Sequence, residues 1–277
     1  MKRTISYSRI SNFVSQYACD MEDYWTYVEG RWPPNNPYFL KGGAVHEAIA
    51  ANFRHKAQCG EDLPFGKLQQ VYEDAWERKL YETVFEDDQD PATLKRQGIE
   101  VLEIWHRDLA PTLMPRDPAN VERKFFLEVA NYSHNLKGVI DLVADVLDAD
   151  QQLTAGDAVI DFKTGKKSPS QLDLAGDLQP TIYSIEQLNE TGRMPPVFYH
   201  HLIHTGKTAK VQVSRVDRTQ ADIDWFSVIF HRVCQQIDAG IWTPVSPGHW
   251  KCNAQRCPHW SYCRGKIMKT DKEDSHA

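Results

Sequence analysis

An acid and a lysine two residues apart, Asp161 and Lys163, stand in the run Val159-Ile160-Asp161-Phe162-Lys163-Thr164-Gly165-Lys166. Val159, Ile160 and Phe162 are residues that a half-buried pleated strand accommodates, and Thr164-Gly165 supplies a break. Strand side chains alternate faces, so Asp161 and Lys163 project the same way. That pair alone fits two readings. One is an ion pair at a strand end; the other is a metal-ligand carboxylate beside a catalytic lysine.

Three further pieces bear on the choice. Asp141 interrupts the apolar run Val139-Ile140-Asp141-Leu142-Val143, and burying a carboxylate costs on the order of several kcal/mol unless it is paired or metal-bound. Asp148 and Asp150, at the end of the same strand, carry no such information. His46 falls in an apolar helical stretch, where a satisfied core histidine is the commoner case. It is not part of a His-Glu-x-x-His zinc motif, because position 50 is Ala50. Gln179 and Tyr183 are four apart on a helical pattern and share a face. Together these residues supply nitrogen and oxygen donors suited to magnesium or manganese, plus one ammonium. That set suits metal-assisted phosphodiester hydrolysis: the cation neutralises phosphate and acidifies water, and the lysine orients the water or stabilises the pentavalent state.

The elements that must position these residues follow from hydrophobic periodicity. Helices are predicted over 8–27 (Ile10, Phe13, Val14 and Tyr17 forming a stripe), over 44–56 with Gly42-Gly43 opening it, and over 65–85, 93–109, 168–189 and 220–239. Strands are predicted over 121–129, 135–147, the Asp161 run, 196–203 and 210–216. The fold class is therefore α/β: a mixed central sheet flanked by helices, with a helical insertion at roughly 57–115. The acidic loop Glu86-Asp87-Asp88-Gln89-Asp90-Pro91 reads as a solvated connection.

The ordered motifs resemble the RecB-type exonuclease branch of the PD-(D/E)xK nuclease superfamily, which includes the CRISPR-adaptation nucleases and the AddB-type nuclease domain. The residues that carry the resemblance are Gly42-Gly43-Ala44-Val45-His46, Gly138-Val139-Ile140-Asp141, Asp161-Phe162-Lys163-Thr164-Gly165 and Gln179-Pro180-Thr181-Ile182-Tyr183. The resemblance implies a restriction-endonuclease-like fold. It implies that His46, Asp141 and Asp161 hold Mg²⁺ or Mn²⁺ with the Phe162 carbonyl as a further ligand, that Lys163 is catalytic, and that Gln179 and Tyr183 position DNA or the water.

Some members of that branch join an N-terminal cysteine to three C-terminal ones through a [4Fe–4S] cluster. The matching residues are Cys19, Cys252, Cys257 and Cys263, four thiolates being the required number. Two departures leave zinc open as the alternative: Asp20 follows Cys19 where proline is usual, and four residues separate Cys252 from Cys257 where two are common. Cys59 and Cys234 read as ordinary thiols. The implied organisation is one nuclease domain over 1–264, a cysteine cap built from 8–30 and 248–264, and a disordered tail over 265–277.

Composition narrows the class further. The chain has 277 residues, 41% hydrophobic and 25% charged, an ordinary globular balance. A net charge of -6 argues against a generic basic nucleic-acid coat, although a cation site with local lysines binds phosphate on an acidic protein. There is neither a signal peptide nor an apolar run long enough for a membrane span, so a cytoplasmic location is expected. Neither Thr205-Gly206-Lys207-Thr208 nor Gly165-Lys166-Lys167-Ser168 completes a P-loop, since positions 201 and 160 are His201 and Ile160. With no motor of its own, the expected partners are DNA ends or single strands and a helicase, recombination or integrase protein. The rival readings are a catalytically silent DNA-end-binding scaffold, which a complete set of acids and lysine disfavours, and a zinc-binding interaction module, which leaves Asp141 unexplained.

Overall fold

The computed structural model describes residues 3–14, 18–130, 132–148 and 150–264. In chain order the elements are β1 (Arg3–Ser6), α1 (Tyr7–Val14), α2 (Asp20–Asp23), α3 (Pro37–Cys59), α4 (Phe65–Leu80), α5 (Pro91–Asp108), β2 (Leu113–Met114), β3 (Val121–Leu127) and β4 (His134–Leu147). They continue with β5 (Leu153–Gly165), α6 (Gln171–Gly176), α7 (Gln179–Thr191), β6 (Val197–His204), β7 (Ala209–Val216) and α8 (Gln220–Ala239). The protein is a mixed α/β structure. Its seven strands run in the order β1-β4-β5-β6-β7, with β2 and β3 also pairing β4, and helices flank the sheet. None of the described helices is long and apolar enough to cross a membrane.

Two compact units divide the chain. The larger comprises Asn35–Phe126 and Gly138–Asp224. Its organising strand is β5, parallel to β6 over Val159–Gly165 and antiparallel to β4 from Leu142↔Ile160 to Leu147↔Leu153. Alternation splits β5 between two cores. Ala158, Ile160 and Phe162 enter the main cluster with α3, α4 and α5, where the Phe162 ring meets Phe53 and Trp105 at 6.1 and 5.8 Å. Val159 faces the other way, into a cluster with Ile140, Val143, Tyr183 and Val197. Asp161 and Lys163 thus fall on the α7 side of the sheet. Gly138 is required by its neighbour: a Cβ there would lie 2.5 Å from the Phe125 ring of β3.

The smaller unit comprises Met1–Pro34, Leu127–Lys137 and Trp225–Ala277. Here β1 runs parallel to the first four residues of β4. A fully buried Asp23 is satisfied by Arg9, at 2.8 and 3.1 Å, and by the Trp242 indole N–H at 3.1 Å. The segment after α8, over 241–263, has no helix or strand: it is irregular over 241–246 and mostly turns and bends from 247.

Four helices differ from the sequence expectation; the one expected over 65–85 is α4, which ends at Leu80. The helix expected over 8–27 is α1, then α2, then a π-helical turn over Tyr24–Val28; Tyr17 lies outside the described residues. The helix expected to open at Gly42-Gly43 starts at Pro37, because Asn36 caps it by accepting from the Tyr38 and Phe39 amides and proline is preorganised for the first position. His46 is therefore in the third turn of α3 rather than its first turns. The helix expected over 168–189 is two: α6, opened by a Ser170–Asp173 capping box, and α7, whose first turn carries Pro180. The expected tail over 265–277 lies outside the described residues.

Candidate active site

The α7-facing end of β5 holds a circuit of three hydrogen bonds closed by one ion pair. Lys163 Nζ lies 2.7 Å from Asp161 Oδ2 and donates to Gln179 Oε1 at 2.7 Å. Gln179 Nε2 donates to the Tyr183 hydroxyl at 2.6 Å, and that hydroxyl donates to Asp161 Oδ1 at 2.8 Å. Spacing of four on α7 makes the last two links possible, and the acceptor oxygen of Gln179 faces the ammonium. Asp161 is 1% exposed, whereas the Lys163 side chain is 40% exposed. The ammonium also lies 5.4 Å from the centre of the Tyr199 ring, whose hydroxyl donates to Asp177 at 2.6 Å.

Asp141 sits where β4 and β5 part. The last paired residues are Leu142 and Ile160, so the next positions along the two strands are Asp141 and Asp161. Beyond that point the Phe162 amide donates to Asp141 Oδ2 at 2.9 Å, so a side chain takes the place of the missing strand partner. A strand residue's N–H and C=O point to one side, which puts the Phe162 carbonyl on the Asp141 side as well. From α3, His46 Nδ1 approaches Asp141 Oδ2 at 3.4 Å.

One participant was not visible in the sequence. Glu122, His46 and Asp141 bring ligand atoms within 4.8 Å of one another. Glu122 has φ 52° within β3, a left-handed conformation that costs a glutamate about 1–3 kcal/mol. Nothing in the sequence separates Glu122 from Glu128, because its significance lies in a backbone angle. The structure therefore gathers His46, Asp141 and Glu122 as one donor group and holds Asp161 against Lys163 and Tyr183.

The electrostatics are those of crowded acids. Burial pushes the Asp161 carboxyl up to about 6; the Lys163 charge opposes this and Asp141 reinforces it. Burial and then Asp141 also raise Glu122. His46 is penalised by burial, yet Asp141, Asp161 and Glu122 together hold it above its ordinary value. Burial works against the Lys163 charge too, and Asp161 outweighs it, so the lysine stays charged. Imidazole, carboxylate and carbonyl donors around excess negative charge fit a divalent cation of the magnesium or manganese kind. Such an ion competes with protons for these groups. Mn²⁺ affinity is expected to fall from pH 7 to pH 5, because His46 and Glu122, both held above their ordinary values, take up protons that the cation must displace. Mn²⁺ titrations followed by electron paramagnetic resonance would read this; an affinity flat over that range would remove both groups from the cation site.

In the smaller unit, Cys19, Cys252, Cys257 and Cys263 line one cavity with Trp25, His259 and Trp260. Burial raises the thiols of Cys19 and Cys257, the latter to about 11. Among the described residues, no three sulfurs lie within 4.8 Å of one another. A tetrahedral zinc with Zn–S of about 2.3 Å needs its sulfurs about 3.8 Å apart. Four thiols on one cavity could hold either a single metal ion or a polynuclear cluster. Cys59 and Cys234 stand outside this cavity.

A family profile described as the PD-(D/E)XK nuclease superfamily matches residues 4–264. No match is found among curated protein sequences. Among solved structures, a candidate exonuclease from Eubacterium rectale superposes with a TM-score of 0.59 at 15% identity, covering 95% of this chain and 88% of that one. A protein named SSO0001 aligns with a TM-score of 0.32 at 13% identity, covering 89% and 93%.

Proposed function

Because the chain belongs to the PD-(D/E)XK nuclease superfamily, we propose that it is a Mg²⁺- or Mn²⁺-dependent deoxyribonuclease of the RecB-type branch, acting as an exonuclease on DNA ends or single strands. The observation that carries this reading is the closed Asp161–Lys163–Gln179–Tyr183 circuit beside the His46/Glu122/Asp141 donor group. A divalent cation held there would supply positive charge to the phosphate and acidify water. Lys163, charged and half-exposed, presents N–H groups to the phosphate oxygens or the attacking water. Gln179 and Tyr183 act through it: they fix the ammonium and the Asp161 carboxylate in place.

A [4Fe–4S] cluster on Cys19, Cys252, Cys257 and Cys263 belongs to the same proposal, supported by the four thiols that line one cavity. A helicase, recombination or integrase partner completes it, since the chain has no P-loop with which to separate strands. Repair, recombination or CRISPR-linked DNA processing in the cytoplasm is the setting such a pairing implies.

The test uses purified protein with end-labelled linear, circular and single-stranded DNA. Mn²⁺ should support digestion of linear and single-stranded substrates, EDTA should abolish it, and covalently closed circles should resist. Cutting of closed circles would exclude the exonuclease; no digestion with either metal would leave the silent DNA-binding scaffold.

A further inference from the structure

Two lysines of α3 in the larger unit are each 3% exposed. Lys56 is satisfied in the ordinary way: its ammonium donates to Asp62 at 2.9 Å and to the Ala110 carbonyl at 2.7 Å. Lys41 has neither kind of partner; among the described residues no hydrogen bond or ion pair reaches it. The nearest charge that bears on it is another cation, Lys166. Its stem is buried but the ammonium keeps contact with solvent, so the charged end is open to an acceptor from outside the chain.

The surroundings indicate which acceptor. Lys166 follows β5 directly, three residues beyond Lys163. Its ammonium donates to the Tyr38 hydroxyl at 2.8 Å and lies 4.6 Å from the centre of that ring. The hydroxyl accepts this bond, which leaves its own hydrogen free to donate. The first turns of α3 press on the same strand end, since a Cβ on Gly42 would lie 2.8 Å from Thr164 Oγ1. Lys41, Lys166 and Tyr38 thus form a small basic site about 10 Å along the chain from Lys163 at strand rise. Burial, with the Lys166 charge added, holds Lys41 below its ordinary value, and an anion would reverse that.

We propose that Lys41, Lys166 and the Tyr38 hydroxyl form a subsite for an internucleotide phosphate of a nucleic-acid strand, next to the phosphate that is cut. It rests on the nuclease reading and adds to it a residue set outside the acid–lysine motifs. The two lysines supply charge and the hydroxyl a directed hydrogen bond, so the subsite reads backbone and not base. Its task is to hold the strand in register while Lys163 addresses the neighbouring phosphate.

The test measures binding of a labelled single-stranded oligonucleotide with Ca²⁺ over a range of salt, for the wild type, Lys41→Met, Lys166→Gln and, as a control, Lys207→Gln. Each of the first two variants should weaken binding and lower the slope of log K against log salt by about 0.7, the value for one lost phosphate contact on a single strand; the control should not. Lys41→Met should also melt no lower than the wild type, because methionine keeps the buried stem and removes only a charge that no group of the described residues pairs. Loss of a lysine with a purely structural role would lower the melting temperature. If Lys166→Gln, an exposed change that leaves the fold intact, keeps the wild-type affinity and slope, the subsite is overturned while Mn²⁺-dependent cutting still supports the nuclease. If both variants lose affinity and slope but no cutting occurs, the subsite stands and the nuclease reading falls.

Discussion

Lys163→Met is expected to lower Mn²⁺-supported digestion by about 10²–10⁴-fold with the fold intact. Among the described residues the ammonium is the one cation tied directly to Asp161, at 2.7 Å, and it also donates to Gln179 at 2.7 Å. Methionine keeps the length of the side chain and removes both. Asp161 then remains buried beside Asp141 with its compensating charge gone, so its carboxyl moves higher than about 6. The sign of the stability effect follows. A carboxyl whose folded pKa lies above its unfolded value makes the folded state bind more protons, so stability falls as pH rises through that interval. The metal-free variant should therefore be destabilised more at pH 8 than at pH 5. Lys163 is 40% exposed and water screens part of its charge, so about 1–3 kcal/mol is the scale at the alkaline end. Melting curves at the two pH values and a digestion time course check the two halves separately. Wild-type digestion by Lys163→Met would remove the lysine from the chemistry; a pH-independent loss of stability would mean Asp161 is not its partner.

The parts of this site that sequence could show are those built on local periodicity. Alternation along β5 places Asp161 and Lys163 on one side, and spacing of four on α7 places Gln179 beside Tyr183; both pairs meet in the structure. The cost of burying a carboxylate singled out Asp141, which does lie against His46 and the Phe162 amide. Long-range facts were out of reach. Gly42-Gly43 looks like a helix opening when read locally, yet these residues lie inside α3, which starts at Pro37; at Gly42 the missing side chain makes room for Thr164. Glu122 matters through its left-handed backbone angle and Lys41 through the partners it lacks, and neither property is written in residue type or spacing. The break between α6 and α7 was legible in principle, since Pro180 and the Ser170–Asp173 box are local signals; the continuous apolar pattern of 168–189 masked them.

Cys257→Ser should remove the proposed cluster and, with it, the order of the C-terminal segment. The segment over 241–263 is irregular chain and turns, so no helix or strand ladder holds it. It is held by side-chain contacts that include the Trp242–Asp23 hydrogen bond at 3.1 Å, the Lys251–Glu22 ion pair at 2.6 Å, the Thr26–His259 contact at 3.3 Å and the cavity walled by Trp25 and Trp260. A bound cluster tying Cys19 to Cys252, Cys257 and Cys263 would add folding energy outright, because ligation selects the folded arrangement. Serine is nearly isosteric with cysteine but a poor soft-metal ligand, so the packing change is small and the loss reports on ligation. Expected for the wild type, purified anaerobically, is a brown protein with about four irons per chain, whose visible absorbance bleaches on reduction. The variant should lose most of the iron and be cleaved by protease after α8, while Cys59→Ser, at an exposed thiol outside the cavity, keeps both properties. The zinc alternative is tested by the same measurement. One zinc per colourless chain would require the four sulfurs to close in to about 3.8 Å, and that result would overturn the cluster while keeping the same four ligands.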